Sequence, residues 1–238
     1  MFKVNLNGSA TQGITLSNCS SSQQAVIDTL AKFVLEKPIM LDVVTDVFRT
    51  CINKIEYENK FQDLLDTWSS KILDQEDFAT LKLHLVQFYN DSSQIDNDAG
   101  YFLERLFAFA LKETYQIYPV SDIQYACKIT THCDEDENLC CDIENKNIDV
   151  CGLYQDSGDF IECKKGLRKE DQKAHNKILA LSKLRMVLEQ ANKKFTNTNY
   201  QLSIFVLCKD NSTKMTFYQN NWPDMDFMGI DRFKLVYC

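Results

Sequence analysis

The chain has few residues that interrupt regular structure: 238 residues include only 7 Gly and 3 Pro. That scarcity argues against long flexible linkers and low-complexity tracts. No internal repeat is visible. No run of about 18 apolar residues occurs, which argues against a membrane span. The opening segment, MFKVNLNGSATQGITLSNCS, lacks an apolar h-region, so no signal peptide is expected and the expected location is cytoplasmic.

Cysteine is not scarce: there are ten. In a secreted chain they would suggest a disulfide framework. Here no leader is evident, and Cys127, Cys151, Cys163 and Cys208 sit inside apolar, strand-like runs. Reduced thiols used as small hydrophobes are the better reading. His132-Cys133 and Cys140-Cys141 do not have the spacing of a paired CxxC knuckle, which argues against structural zinc.

Hydrophobic residues make up 45% of the chain and charged residues 25%, the balance of a globular protein with one domain or a core and an appendage. The net charge of −8 is unevenly distributed. Residues 162–194 carry ten Lys/Arg against four acids, a net +6, whereas residues 1–161 sum to −14. Phosphate binding needs a local positive field of this kind, not a basic whole protein.

Four segments in the first hundred residues have helical periodicity: QQAVIDTLAKFVLEK, IMLDVVTDVFRTCINKI, NKFQDLLDTWSSKIL and EDFATLKLHLVQFYN. The polar stretch NDSSQIDNDAG (90–100) reads as a boundary, which predicts an all-helical region over 1–96 and a second domain over 97–238. Beyond it the order is helix (YFLERLFAFALKETYQI), strand (123–131), acidic loop, strand (148–154), strand (159–163), long basic helix and strand (200–208). FKLVYC reads as a short final strand. The buried stripe of the basic helix is expected at Ile178, Leu181, Leu184 and Leu188, with His175 on an exposed turn.

The segment with most bearing on function is IDVCGLYQDSGDFIECK, residues 148–164. One apolar strand carries Asp149 and the next carries Glu162 and Lys164. Strand alternation projects Glu162 and Lys164 from the same side, with Cys163 between them. Taken singly, an Asp at a strand end is a turn residue and an ExK triplet is a solvated edge. Together, beside Phe160 and Ile161 and ahead of a basic helix, they form a set able to hold a divalent cation near a phosphate. An amine stands within reach of the reacting water. Mg²⁺ in particular accepts one or two carboxylates and keeps several waters.

Asp149 and the Glu162-Cys163-Lys164 triplet, with the element order around them, resemble the PD-(D/E)XK nuclease superfamily. The resemblance covers residues from about 98 to 208. Ile148 stands where the pattern's letters place Pro, as in many members. The resemblance implies an α/β, restriction-endonuclease-like core: a mixed central sheet flanked by helices. It implies a Mg²⁺- or Mn²⁺-dependent nuclease, most simply a DNA endonuclease serving restriction, phage defence or DNA processing. Asp149 and Glu162 would bind the metal with the Cys163 backbone carbonyl, and Lys164 would assist the water. An acid on the helix before the first strand often completes the metal shell in the family, which points to Glu104. Gln172 falls where some branches contact the metal-bound water or phosphate. Lys165, Arg168, Lys169 and Lys173 are expected to track nucleic acid, DNA in preference to RNA. Members that cut both strands often form homodimers, and the helical region 1–96 is a candidate for binding a protein partner. The alternative is a catalytically silent nuclease-like module that binds nucleic acid or is regulated by a partner.

Overall fold

The computed structural model describes residues 1–10, 20–114, 123–143, 146–167 and 171–238. Its internal contacts divide the chain into two compact units. One holds strand β1 (Phe2–Ala10) and the segment Leu111–Gly229; the other extends to Ala110 and takes in Ile230–Cys238.

The helical unit contains α1 (Ser21–Glu36), α2 (Met40–Thr50), α3 (Lys54–Ser69), α4 (Gln75–Asp91) and most of α5 (Ile95–Thr114). Ser20, Asn53 and Asp74 cap three of these helices by accepting from backbone N–H groups of the first turn. Leu30, Val44, Phe48, Leu85, Phe88 and Phe102 are fully enclosed in its core. Arg105 reaches Asp28 through two bonds of 2.5 and 2.8 Å, which neutralises an otherwise costly buried guanidinium.

Three features differ from the expected division at residue 96. The polar stretch 90–100 is not a linker along its length: α5 begins within it at Ile95. Ile95, Ala99, Phe102 and Leu103 are buried, while Asp96 and Asp98 occupy the first turn, where the helix dipole favours acids. The first residues are not helical, because Phe2, Val4 and Leu6 alternate with Lys3, Asn5 and Asn7 and pair as a strand. FKLVYC is not a strand; it lies mainly in α8 (Ile230–Tyr237), whose Phe233 packs on Phe107. A short apolar run does not by periodicity alone distinguish the two states.

The second unit is a mixed α/β structure around a seven-stranded sheet. Its remaining elements are β2 (Ile123–Cys133), β3 (Cys141–Asp142), β4 (Ile148–Tyr154), β5 (Ser157–Lys164), α6 (Gln172–Lys194), β6 (Asn199–Val206), α7 (Thr213–Asn221) and β7 (Phe227–Met228). The strand order is β1-β2-β4-β5-β6-β7, with the short β3 also paired to β2. Pairing is antiparallel as far as β5 and parallel from β5 through β6 to β7. The parallel step needs a crossover, and α6 supplies it. Ile178, Leu181, Leu184 and Leu188 of α6 share one apolar core with Cys127, Ile148, Cys151, Phe160 and Ile204 of the sheet. Among the described residues, no helix is long and apolar enough to cross a membrane.

Candidate active site

The site forms at one end of the β4–β5 hairpin. Val150 pairs with Ile161, and Asp149 and Glu162 follow one step further along the two strands. Alternation from Phe160 puts Glu162 and Lys164 on the side of the sheet that α6 covers. The Cys163 backbone N–H donates to Asp149 Oδ2 at 2.8 Å, fixing the carboxylate against the neighbouring strand.

Glu162 is the most enclosed of these groups, its side chain 1% exposed. Its Oε1 meets two ammonium groups: Lys164 Nζ in direct contact and Lys177 Nζ at 2.5 Å. The same lysines approach Asp149, Lys164 Nζ at 3.5 Å from Oδ2 and Lys177 Nζ at 3.7 Å from Oδ1. Oε1 thus lies between the two ammonium groups, while Oε2 has no hydrogen-bond partner among the described residues.

The electrostatics follow from that crowding. Burial, and then the charge of Asp149, push the Glu162 carboxyl up to about 7, against the pull of the two lysines. Burial opposes charge on Lys164 as well, but Glu162 and Asp149 together outweigh it and hold its ammonium well above the usual lysine range. Beneath the site, burial drives the Cys151 thiol strongly upward, so that it stays a neutral packing group.

The donor set fits a hard divalent cation. Asp149 and Glu162 offer carboxylate oxygens, and Oε2 of Glu162 is a buried acceptor to which no described residue donates, a costly state for a carboxylate. No cluster of three or more His, Cys, Asp or Glu side chains suited to a metal occurs among the described residues. A cation here would therefore keep several waters, as Mg²⁺ does.

No protein-family model matches the chain, and no curated protein matches it in sequence. Among solved structures it is similar to protein VC1899 from Vibrio cholerae, at 13% identity and a TM-score of 0.45. The similarity covers 99% of this chain and 57% of that one, so this chain spans a little over half the length of VC1899.

Gln172 is exposed on the first turn of α6, and its Nε2 donates to Asn176 Oδ1 at 2.9 Å instead of entering the cluster. Lys173 is exposed beside it, and Lys165 is half-buried just past the end of β5. Arg168 and Lys169 lie outside the described residues. Glu104 is half-buried on the part of α5 that belongs to the helical unit. His175 is not on an exposed turn: it is half-buried, and its Nδ1 accepts from Trp222 Nε1 at 3.0 Å.

Lys177 was not anticipated. The signal available for it is positional: Ala174, Lys177 and Leu181 follow one another at spacings of three and four along α6, so this lysine continues the sheet-facing stripe. A cation on the apolar stripe of an amphipathic helix calls for an acidic partner.

Proposed function

We propose that the sheet unit is a PD-(D/E)XK-type nuclease with a restriction-endonuclease-like core, hydrolysing phosphodiester bonds in nucleic acid, DNA in preference to RNA, with Mg²⁺ or Mn²⁺. The observation that carries this reading is the convergence of Asp149, Glu162 and Lys164 at one end of a hairpin, around a buried carboxylate whose Oε2 has no hydrogen-bond partner among the described residues. Structural ion pairs do not ordinarily leave such an acceptor bare.

Asp149 and Glu162 would hold the cation, which when bound supplies Lewis acidity and a more acidic water. The protein groups do the rest. The Cys163 N–H holds Asp149 in place, and burial keeps Glu162 desolvated and rigid. Lys164, kept protonated by the two carboxylates, is suited to binding a phosphate oxygen and opposing the charge that grows on it, and ill suited to removing a proton from water.

The test is cleavage of linear, supercoiled and circular single-stranded DNA, and of RNA, with Mg²⁺, Mn²⁺ or EDTA, beside D149A and K164A. Metal-dependent cutting lost in both variants is the expected result, and cutting of circular substrates would identify an endonuclease. One observation favours a second reading. Two lysines already neutralise two acids, as in a purely structural ion cluster or a silent binding module. Nucleic-acid binding without cleavage under every cation would select it.

A further inference from the structure

We propose that Lys177 is a second phosphate-binding cation of this site, held in the free protein as a counter-ion of Glu162 and Asp149 and released to the substrate once a bound divalent cation neutralises those carboxylates. The inference rests on the nuclease reading and extends it to a residue of α6, outside the hairpin motif.

The first argument is geometric. Lys177 Nζ lies 2.5 Å from Glu162 Oε1 and 3.7 Å from Asp149 Oδ1, so it addresses the same two carboxylates as Lys164. Lys164 comes from β5 and Lys177 from α6, so the acids are approached from two independent elements. The side chain of Lys177 is 21% exposed, against 1% for Glu162, so the lysine reaches solvent where the acid does not. Ile178 and Leu181, both buried, anchor its turn of α6, so the Nζ can move on its flexible stem while the helix stays seated.

The second argument is charge. With Glu162 ionised, the two carboxylates and two ammonium groups sum to zero. With a divalent cation on the acids, the cation and the four side chains together carry a net +2. A phosphodiester brings one negative charge, and its non-bridging oxygens gain further charge as water attacks. With Lys164 alone the site would reach only +1. Lys177 supplies the remaining charge, and its present contacts with Glu162 and Asp149 are the ones a bound cation would weaken.

The experiment compares full-length wild type with K177A, K177M and K177R. K177M keeps the packing of the stem, and K177R keeps the charge. Mn²⁺ binding to the protein without DNA is read by electron paramagnetic resonance. Binding of a short fluorescent DNA, duplex and single-stranded, is read against salt, with Ca²⁺ in place of Mg²⁺ to suppress cleavage. K177A and K177M are expected to bind Mn²⁺ more tightly, by roughly tenfold, because a competing ammonium is gone. Their DNA affinity should fall, with a salt slope shallower by about 1, while K177R keeps the wild-type slope. Unchanged or weaker Mn²⁺ binding, or an unchanged salt slope, in both K177A and K177M would overturn the role given to Lys177 and leave the nuclease reading standing. Failure of wild type to bind either Mn²⁺ or DNA would overturn both.

Discussion

The backbone N–H of Cys163 points at Asp149 and donates to its Oδ2 at 2.8 Å, tying the first acid of the site to the strand that carries the second. One residue thus serves as strand clasp and candidate ligand. The two roles separate by substitution. Asp149→Asn keeps an acceptor for the Cys163 N–H and loses the charge, whereas Asp149→Ala loses both. Metal-dependent cleavage should vanish in each. In urea melts without metal, D149A should lose about 1–3 kcal/mol, while D149N stays within about 1 kcal/mol of wild type. Equal destabilisation of the two would show that the clasp contributes nothing.

Glu162 makes stability depend on pH in an unusual direction. Its carboxyl is raised in the folded protein from 4.5 to about 7, so between those values the folded state holds a proton that the unfolded chain has released. The group contributes no penalty below about pH 4.5, an increasing one as pH rises to about 7, and a constant one above. Glu162→Gln, uncharged at every pH, should remove that component. In EDTA, the stability of E162Q relative to wild type should rise with pH across this window, by at most about 1.4 kcal/mol per pH unit. Chemical denaturation at a series of pH values reads this directly, and parallel curves for the two proteins would contradict the burial argument.

Much of the site unit could be read in advance from period and composition. The hairpin strands, the crossover helix with its stripe at Ile178, Leu181, Leu184 and Leu188, and the placement of Glu162 and Lys164 on one side all follow from periods of 2 and 3.6. Strand β1 contradicts the all-helical reading of 1–96, although the alternation of FKVNLN carries the signal for it. Its assignment to the sheet was not legible, because pairing Phe2 with Cys133 joins residues more than a hundred positions apart. The same holds for Lys177: its place on the stripe is visible in the sequence, but not which carboxylate it meets across the crossover. Gln172 illustrates the converse. Its sequence position suited a site residue, but a neighbour one turn on, Asn176, takes up its amide at the surface.

The last helix, where a strand was expected, provides a test of the helical unit. Phe233 is fully buried, with ring centroids 4.8 Å from Phe107 and 5.4 Å from Tyr237, and Lys234 of the same turn is paired with Asp42 on α2. Both contacts are made from the helix Ile230–Tyr237. Phe233→Ala should cost about 3–5 kcal/mol in urea unfolding, whereas Leu235→Ala, at a side chain 86% exposed, should change stability by less than about 0.5 kcal/mol. A strand would bury alternate residues, so comparable losses at Phe233 and Leu235 would argue against the helix.

The turn that closes the site hairpin makes opposite demands on two nearby positions. Gln155 has φ of 54°, the left-handed region that a side chain makes unfavourable and that glycine enters readily. Two residues beyond the turn's other end, Gly158 allows a close approach: a Cβ there would lie 2.8 Å from the Gly152 carbonyl oxygen and 2.9 Å from Leu153 Cδ2. The backbone contact belongs to the paired strand and has no rotamer with which to withdraw. Gln155→Gly should therefore stabilise the protein by up to about 1 kcal/mol. Gly158→Ala should destabilise it by about 1–3 kcal/mol, by pushing β4 away from β5. Since Asp149 and Glu162 sit at the far end of the same ladder, the second substitution should also loosen the Cys163–Asp149 bond. Amide exchange at Cys163, followed by NMR in both variants, would register this: faster in Gly158→Ala, unchanged or slower in Gln155→Gly. Exchange that ignores both substitutions would show that the turn does not set the spacing of the two acids.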